Sequence, residues 1–336
     1  MRMLIYDVHA SESGALAILD DLYKKISNTA DEDIEYLFVV STPEYVETEH
    51  IKVERYPWVK KSWLHRLYFD HIITRRIIKR FRPDKVYSLQ NKGIPFFKGE
   101  QDVYLHLPFV LCDYKFNLKK DGKRLWLYQN VLSKNIFSSL RKVSKVIVQT
   151  NWMKDALVQK AKVKSEHIEV QTPDITMNNI GVYRPNNNEE LIFFYPATSF
   201  RYKNHITALR AMKYAVDRGL DNYKVIFTIK KEENRYTEEL FNFAYENKIN
   251  VDFHGQIPRN EVFEMYTKSV LLFPSMVESF GMPLLEARLT GSPILASNCP
   301  FCNEILSGYN NCIFFDGYNY VDLGETLLSI RKNWEI

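Results

Sequence analysis

Short runs of apolar residues, separated by stretches in which apolar positions have a helical spacing, recur along the chain. Residues 35–40 (EYLFVV), 191–195 (LIFFY) and 270–273 (VLLF) are nearly continuous apolar runs, as expected for parallel strands buried on both faces. Helical patterns follow, for example at 15–26 and 206–215. This alternation predicts an α/β fold with parallel sheets. The predicted strands are 3–7, 35–40, 85–89, 102–106, 146–150, 191–195, 225–229, 270–273 and 294–296.

A polar stretch without periodicity, residues 177–190, interrupts this alternation and contains three consecutive asparagines. Such a composition is typical of a linker. The chain of 336 residues is long enough for two domains of ordinary size. We therefore predict a Rossmann-like domain at 1–176, a linker at 177–190, a second Rossmann-like domain at 191–321 and a short C-terminal helix at 322–336.

The composition is that of a folded protein, with 46% hydrophobic and 14% aromatic residues. A formal net charge of +4 is too small to indicate a nucleic-acid partner. No apolar run approaches the roughly 18–20 residues of a membrane-spanning helix, and we expect no leader peptide. The protein should then be cytoplasmic with reduced thiols. We interpret Cys299 and Cys302 as structural residues of a loop before Glu304, not as a redox or zinc motif.

Residues 51–85 are unusually basic, with eleven Lys or Arg against three Asp or Glu, and aromatic and aliphatic residues are interleaved with them. Much of this segment has the pattern of an amphipathic helix with a basic polar face. Two interpretations have equal weight. One is a solvated helix that covers the core, and the other is a patch that binds a membrane surface near a lipid-linked acceptor. Nucleic-acid binding is the weakest interpretation, because no binding module accompanies the charge.

The most informative segment is 269–316, which reads as a strand, a loop, a helix and a second strand. Gly281 and Pro283 precede and begin the helix, whose free N–H groups and positive dipole end favour an anion. Glu278 lies in the loop and Glu286 one turn inside the helix. Two carboxylates beside an anion site suit a ligand with hydroxyl groups at both ends and phosphate in the middle. A nucleotide-sugar has this chemistry.

The segment ESFGMPLLE, from Glu278 to Glu286, resembles the signature of the retaining glycosyltransferases of glycosyltransferase family 4. This resemblance implies the GT-B fold, in which two Rossmann-like domains face a central cleft. It also implies that Glu278 contacts the donor sugar and Glu286 the ribose. The donor site would further include the residues around the glycine, which are Phe280, Gly281, Met282, Pro283 and Leu284.

The resemblance extends to other positions along the chain. It implies that Lys203 neutralises the donor diphosphate, while Thr198 stands where the family has a second cation, so Arg201 is a candidate substitute. It implies that His106 faces the donor sugar from the first domain. The remaining donor-binding candidates are Gly14 in the first glycine loop, and Gly255 and Ile257 in the segment that contacts the nucleotide base.

The chemistry that follows from the resemblance is transfer of a sugar with retention of configuration to a glycan or lipid-linked acceptor, as in surface polysaccharide synthesis. We expect Lys203 and the helix start to stabilise the leaving diphosphate, with Glu278 positioning the sugar, so neither a metal nor a cofactor should be required. The acidic run 31–33 imitates a metal site but is interpreted as a solvated loop. The alternative function is a non-catalytic or partner-dependent sugar-nucleotide-binding protein, because Thr198 departs from the family pattern.

Overall fold

The computed structural model describes residues 1–11, 13–29, 33–173, 180–184 and 190–334. The chain divides into two compact units, each built on one parallel sheet. The N-terminal unit comprises 1–111 and 127–172, and the C-terminal unit comprises 112–126 and 173–336. Residues 112–126 therefore group with the second unit although they precede most of it in sequence.

The sheet of the N-terminal unit has seven parallel strands in the order β3-β2-β1-β4-β5-β6-β7. These are β1 (Arg2–Asp7), β2 (Glu35–Val40), β3 (Ile51–Arg55), β4 (Lys85–Ser88), β5 (Glu100–Tyr104), β6 (Lys145–Val148) and β7 (Ile168–Val170). Successive residues of β1 point to opposite faces, so Ile5 packs with Phe38 in one apolar cluster and Leu4 with Leu37 in another. Both faces of the sheet are thus covered, which explains the continuous apolar runs.

The helices before residue 173 are α1 (Ser13–Thr29), α2 (Trp63–Tyr68), α3 (Thr74–Phe81), α4 (Lys123–Leu127), α5 (Ser133–Leu140) and α6 (Asn151–Ala156). Three π-helical turns continue them: Phe69–Ile73 joins α2 to α3, Tyr128–Leu132 joins α4 to α5, and Leu157–Ala161 extends α6. Residues 63–81 therefore form one helix, which confirms the helical part of the predicted basic segment.

The C-terminal unit has a six-stranded parallel sheet in the order β10-β9-β8-β11-β12-β13. Its strands are β8 (Leu191–Tyr195), β9 (Tyr223–Phe227), β10 (Val251–Phe253), β11 (Val270–Phe273), β12 (Ile294–Ser297) and β13 (Cys312–Phe315). The strand order reverses between β8 and β11, and such a switch point is where open α/β sheets bind ligands. The helices are α7 (His205–Val216), α8 (Arg235–Glu246), α9 (Arg259–Tyr266), α10 (Met282–Thr290), α11 (Pro300–Ile305) and α12 (Tyr320–Trp334).

The predicted α/β class with two Rossmann-like sheets is confirmed. Some details of the prediction were wrong. Residues 51–55 form the edge strand β3 and not part of the basic helix, and β5 ends at Tyr104, so His106 lies beyond the strand. Cys302 lies in α11 and not in a loop. The C-terminal helix begins at Tyr320, two residues before its predicted start.

Several predicted boundaries lie outside the described residues. These are most of the acidic run 31–33, the end of the first domain at 176, the asparagines 186–188 and the last two residues of the C-terminal helix. The described part of the linker, 180–184 and 190, has no regular secondary structure.

Leu272 in β11 is fully buried, whereas Leu289 in α10 is 47% exposed. We expect Leu272→Ala to lower the free energy of unfolding of the C-terminal unit by about 2–5 kcal/mol, because the substitution leaves a cavity. Leu289→Ala is the matched control and should change it by less than about 0.5 kcal/mol. Urea denaturation followed by circular dichroism measures both. Equal losses in the two variants would contradict the placement of β11 in the core.

Candidate functional site

The loop after β11 leads directly into the N-terminus of α10. Gly281 precedes the helix with a φ of 92°, in the left-handed region that glycine adopts without strain. A Cβ atom there would also come within 3.1 Å of Leu284 Cδ1. Pro283 occupies the first turn, as predicted from the sequence. Pro283 has no N–H and the Leu284 N–H donates to the Gly281 carbonyl at 2.9 Å, so this helix start favours an anion mainly through its Met282 N–H and the positive end of the helix dipole.

The structure brings Lys203 and Glu278 together, although they are 75 residues apart in sequence. Their side chains form an ion pair and are only 16% and 15% exposed. Ser275 Oγ donates a hydrogen bond of 2.8 Å to Glu278 Oε1. The backbone N–H of Met276 donates to the carbonyl of Tyr202 at 2.9 Å, which ties the loop after β11 to the turn after β8. A cation and a hydroxyl acceptor thus meet at the switch point of the sheet.

Glu286 is nearly buried on α10, and α9 supplies both of its partners. Arg259 Nη2 lies 3.2 Å from one carboxylate oxygen, and the Tyr266 hydroxyl donates to the other at 3.2 Å. Burial raises the pKa of Glu286, and the charge of Arg259 opposes this shift. Neither partner was predicted, since the contact joins two helices and leaves no local pattern in the sequence.

Arg201 and Gly255, two other predicted donor residues, lie outside the loop that carries Glu278. Arg201 pairs with Glu239 of α8 at 2.6 Å and lies over the ring of Tyr236, with its guanidinium carbon 4.4 Å from the centroid. Gly255 follows β10 with a φ of 87°, and a Cβ atom there would come within 2.7 Å of Lys230 Cε. Lys230 therefore covers the predicted base-contacting loop.

The remaining predicted donor contacts differ in exposure. They lie in the loop after β10 and in the ESFGMPLLE segment. Phe280 and Leu284 are buried, which suits positions whose backbone, and not their side chain, contacts a ligand. Ile257, Met282 and Pro283 are half-buried.

The predicted residues of the N-terminal unit are His106 and Gly14. The backbone N–H groups of His106 and Leu107 donate to Asn91 Oδ1 at 2.9 and 3.0 Å, which fixes the turn after β5. Burial lowers the pKa of His106 to about 4, so its imidazole is neutral at pH 7. Gly14 is exposed in the first turn of α1 and not in a loop, and a Cβ atom there would meet nothing within 4 Å.

The cysteines of the CPFC sequence are buried beside this site. Burial raises the pKa of both the Cys299 and the Cys302 thiol, which disfavours the reactive thiolate. Among the residues that the structure describes, no group of three His, Cys, Asp or Glu is placed to hold a metal ion. Within the same residues, no helix has the length and apolar character needed to cross a bilayer.

His205, the first residue of α7, lies under the Lys203 turn and was not predicted. Its ring is fully buried against Tyr195 and Phe227, with centroid distances of 4.8 and 4.9 Å. Within the described part of the chain, neither ring nitrogen has a hydrogen-bond partner. Burial, with a smaller contribution from the charge of Lys203, lowers the pKa of His205 to about 3. The folded protein therefore holds a neutral imidazole at this position.

This histidine should make the C-terminal unit sensitive to acid. The unfolded chain binds a proton near pH 6.5 and the folded chain only near pH 3, so stability is lost as pH falls below about 6.5. We expect His205→Leu to reduce the loss of melting temperature between pH 7 and pH 4.5. The exposed His254 provides the control variant His254→Gln, which should keep the parent's pH profile. An unchanged profile in His205→Leu would contradict a buried neutral imidazole.

Part of this chain is similar in sequence to known proteins. Residues 179–336 match the family model Glycosyl transferases group 1. The O-antigen chain mannosyltransferase RfbU of Salmonella typhimurium is 24% identical over 242 residues, covering 71% of this chain and 63% of RfbU. Sucrose-phosphate synthase 4 of Arabidopsis thaliana is 30% identical over 93 residues, which are 24% of this chain and 9% of that protein. The chain thus spans less than two thirds of the length of either relative.

Solved structures match over nearly the whole chain. Anabaena HepE, crystallised with UDP and glucose, has a TM-score of 0.69 at 15% identity and covers 100% of this chain and 91% of its own. WaaG, a glycosyltransferase involved in lipopolysaccharide biosynthesis, has a TM-score of 0.66 at 13% identity, with 99% and 94% covered. The protein therefore has the GT-B fold of these structures, and residues 179–336 are similar to the Glycosyl transferases group 1 family.

Proposed function

We propose that the protein is a retaining glycosyltransferase that transfers a sugar from a nucleotide-sugar donor to a glycan or lipid-linked acceptor. The observation that carries this proposal is the meeting of Lys203 and Glu278 beside the N-terminus of α10. A cation, a hydroxyl acceptor and the positive end of a helix dipole then lie close together at the carboxyl edge of the sheet. This combination suits a sugar attached to a diphosphate.

In the proposed reaction, the bond between the sugar C1 and the donor phosphate oxygen breaks, and negative charge develops on the leaving diphosphate. Lys203 Nζ and the positive end of the α10 dipole stabilise that charge. Lys203 and Ser275 both contact Oε1 of Glu278, so among the described residues Oε2 is left to accept a hydroxyl of the sugar. Glu286, held by Arg259 and Tyr266, binds the ribose hydroxyls.

Retention follows if the acceptor oxygen bonds to C1 on the face that the diphosphate leaves. The acceptor proton then passes to the departing phosphate oxygen, so no separate base is needed. Glu278 is a poor candidate for a covalent nucleophile, because its charge is compensated by Lys203 and one oxygen accepts from Ser275. We assign Glu278 to positioning of the donor sugar.

The names of the relatives guide the choice of substrates. RfbU is named an O-antigen chain mannosyltransferase, and WaaG is described as involved in lipopolysaccharide biosynthesis. We therefore propose a surface polysaccharide or its lipid-linked precursor as the acceptor. HepE was solved with UDP-glucose, so uridine donors belong first in a donor panel, with mannosyl donors beside them.

A non-catalytic donor-binding protein is the second candidate, and one observation favours it. Thr198 is exposed where a second cation was expected, and Arg201 is engaged by Glu239. Lys203 would then be the main side-chain cation for the diphosphate. Turnover of a bound donor separates the two candidates.

The donor assignment is tested with purified variants and a panel of nucleotide-sugars. We expect Lys203→Ala to lower kcat about 10²-fold or more, since it removes charge stabilisation of the leaving group. Glu286→Gln should mainly raise the donor Kd. Lys224→Ala, which removes a half-buried cation on β9 that pairs with Asp252, is the matched control and should behave as the parent. Product anomers determined by NMR test retention.

Equal activity in Lys203→Ala and Lys224→Ala would exclude the proposed site. Donor binding without hydrolysis or transfer to any acceptor would instead support the non-catalytic candidate. If Arg201→Gln leaves donor binding unchanged, Arg201 does not replace the cation that is missing at Thr198.

We also propose that the helix 63–81 binds an anionic membrane surface. One side of this helix is buried, as Phe69 and Ile77 show, while the other exposes large apolar side chains beside basic ones. The exposed apolar residues are Trp63 (73%), Leu64, Leu67, Tyr68 and Ile72, and the exposed basic residues are Arg75, Arg76, Lys79 and Arg80. An apolar face flanked by cations suits an anionic bilayer.

This membrane contact is tested by co-sedimentation with vesicles in which about one third of the lipid is anionic phosphatidylglycerol. We expect the double variant Trp63→Ser/Leu67→Ser to bind at least about tenfold more weakly, because it removes buried apolar contact. Tyr245→Ser/Leu289→Ser, which changes two exposed apolar residues elsewhere, is the control. Equal binding by the two variants, or binding that does not weaken with salt, would contradict the proposal.

A further inference from the structure

The C-terminal unit contains a cavity of about 630 Å³ between residues 117–121 and the helices α7 and α8. This volume lies within the range of small-molecule sites, which is roughly 300–1,000 Å³. Among the described residues that line it, none is Lys203, Glu278 or Glu286. The cavity therefore does not include these three side chains, although Arg201, a candidate for the donor diphosphate, is part of its lining.

A turn with a fixed backbone forms one wall of the cavity. Asp121 accepts a hydrogen bond from the backbone N–H of Asn117 at 2.7 Å, and Asn117 Oδ1 accepts from the N–H groups of Lys119 and Lys120 at 2.9 and 3.1 Å. The buried ring of Phe116 anchors the same segment in the unit. The turn thus presents two lysines from a defined backbone and uses the Asp121 carboxylate to hold its own shape.

Arginines from α7, α8 and the preceding turn form the opposite wall. Arg201 and Arg235 share one carboxylate, Glu239, at 2.6 and 3.4 Å. Arg201 is also held over the ring of Tyr236. Arg210 makes no ion pair with any residue that the structure describes. One carboxylate therefore serves two guanidinium groups on this wall while a third has none.

The cavity lining includes five cationic side chains and two carboxylates, Asp121 and Glu239. The positive excess favours an anion, and a dianion more than a monoanion. Guanidinium groups bind phosphate through paired hydrogen bonds, which lysines supplement as point charges. The rings of Tyr114 and Tyr236 add aromatic surface beside the charges, as in sites for small organic ligands.

We propose that this cavity binds the phosphate group of a phosphorylated sugar or glycan, as a second carbohydrate site beside the donor site. Arg201 and Asn204 line the cavity, whereas Lys203 between them pairs with Glu278, so the two sites flank the same turn. The inference rests on the proposed function only for the carbohydrate part of the ligand. The preference for phosphate follows from the charges of the cavity itself.

The proposal is tested by isothermal titration calorimetry of the whole protein with glucose 6-phosphate, glucuronate and glucose as probes. We expect glucose 6-phosphate to bind, with an affinity that falls as salt rises, and glucuronate and glucose to bind at least about tenfold more weakly. Lys119→Ala/Lys120→Ala and, separately, Arg210→Gln should each weaken binding of glucose 6-phosphate about tenfold. Lys123→Ala removes a lysine of the same segment that does not line the cavity, and it should bind as the parent does.

Binding that is equal in Lys123→Ala and in both cavity variants would overturn the site, as would equal affinity for glucuronate. Loss of glucose 6-phosphate binding in Glu286→Gln, or competition by UDP, would place the probe in the donor site and would also overturn the proposal. UDP-glucose binding is measured in the same variants. A protein that binds glucose 6-phosphate but no nucleotide-sugar would retain this inference while refuting the proposed function.

Discussion

The pairing of β8 with β11 is the constraint on which the C-terminal unit depends. Their register places Val270 opposite Phe193 and Leu271 opposite Phe194, and all four side chains are essentially fully buried. Parallel strands end at the same edge of a sheet, so the turn after β8 and the loop after β11 emerge side by side. The ion pair between Lys203 and Glu278 follows from this register.

The charged side chains of the candidate site compensate one another. Lys203 is matched by Glu278, and Glu286 by Arg259 with the Tyr266 hydroxyl, so none of these partly buried charges lacks a partner. A ligand that binds there must exchange these contacts for its own. The cavity at α7 and α8 differs, because its cations outnumber its carboxylates.

Much of the fold could be predicted because strands buried on both faces must be apolar throughout. Strands such as β2, β8 and β11 have this composition and were placed at their observed bounds. The edge strand β3 was missed because Lys52, Glu54 and Arg55 make it resemble the basic helix that follows. The helix 63–81 could be predicted only as an amphipathic pattern, and its exposed apolar face emerged once the core on its other side was known.

The sequence by itself determined the α/β class, the two sheets and the loop–helix that carries Glu278, Gly281, Pro283 and Glu286, because all of these depend on neighbours within a few residues. Only the tertiary structure decided which side chains meet. The contacts of Lys203 with Glu278, of Arg259 with Glu286 and of Arg201 with Glu239 join different elements, and the burial of His205 depends on rings from two strands. Such contacts are set by strand order and helix packing, which no local pattern of residues encodes.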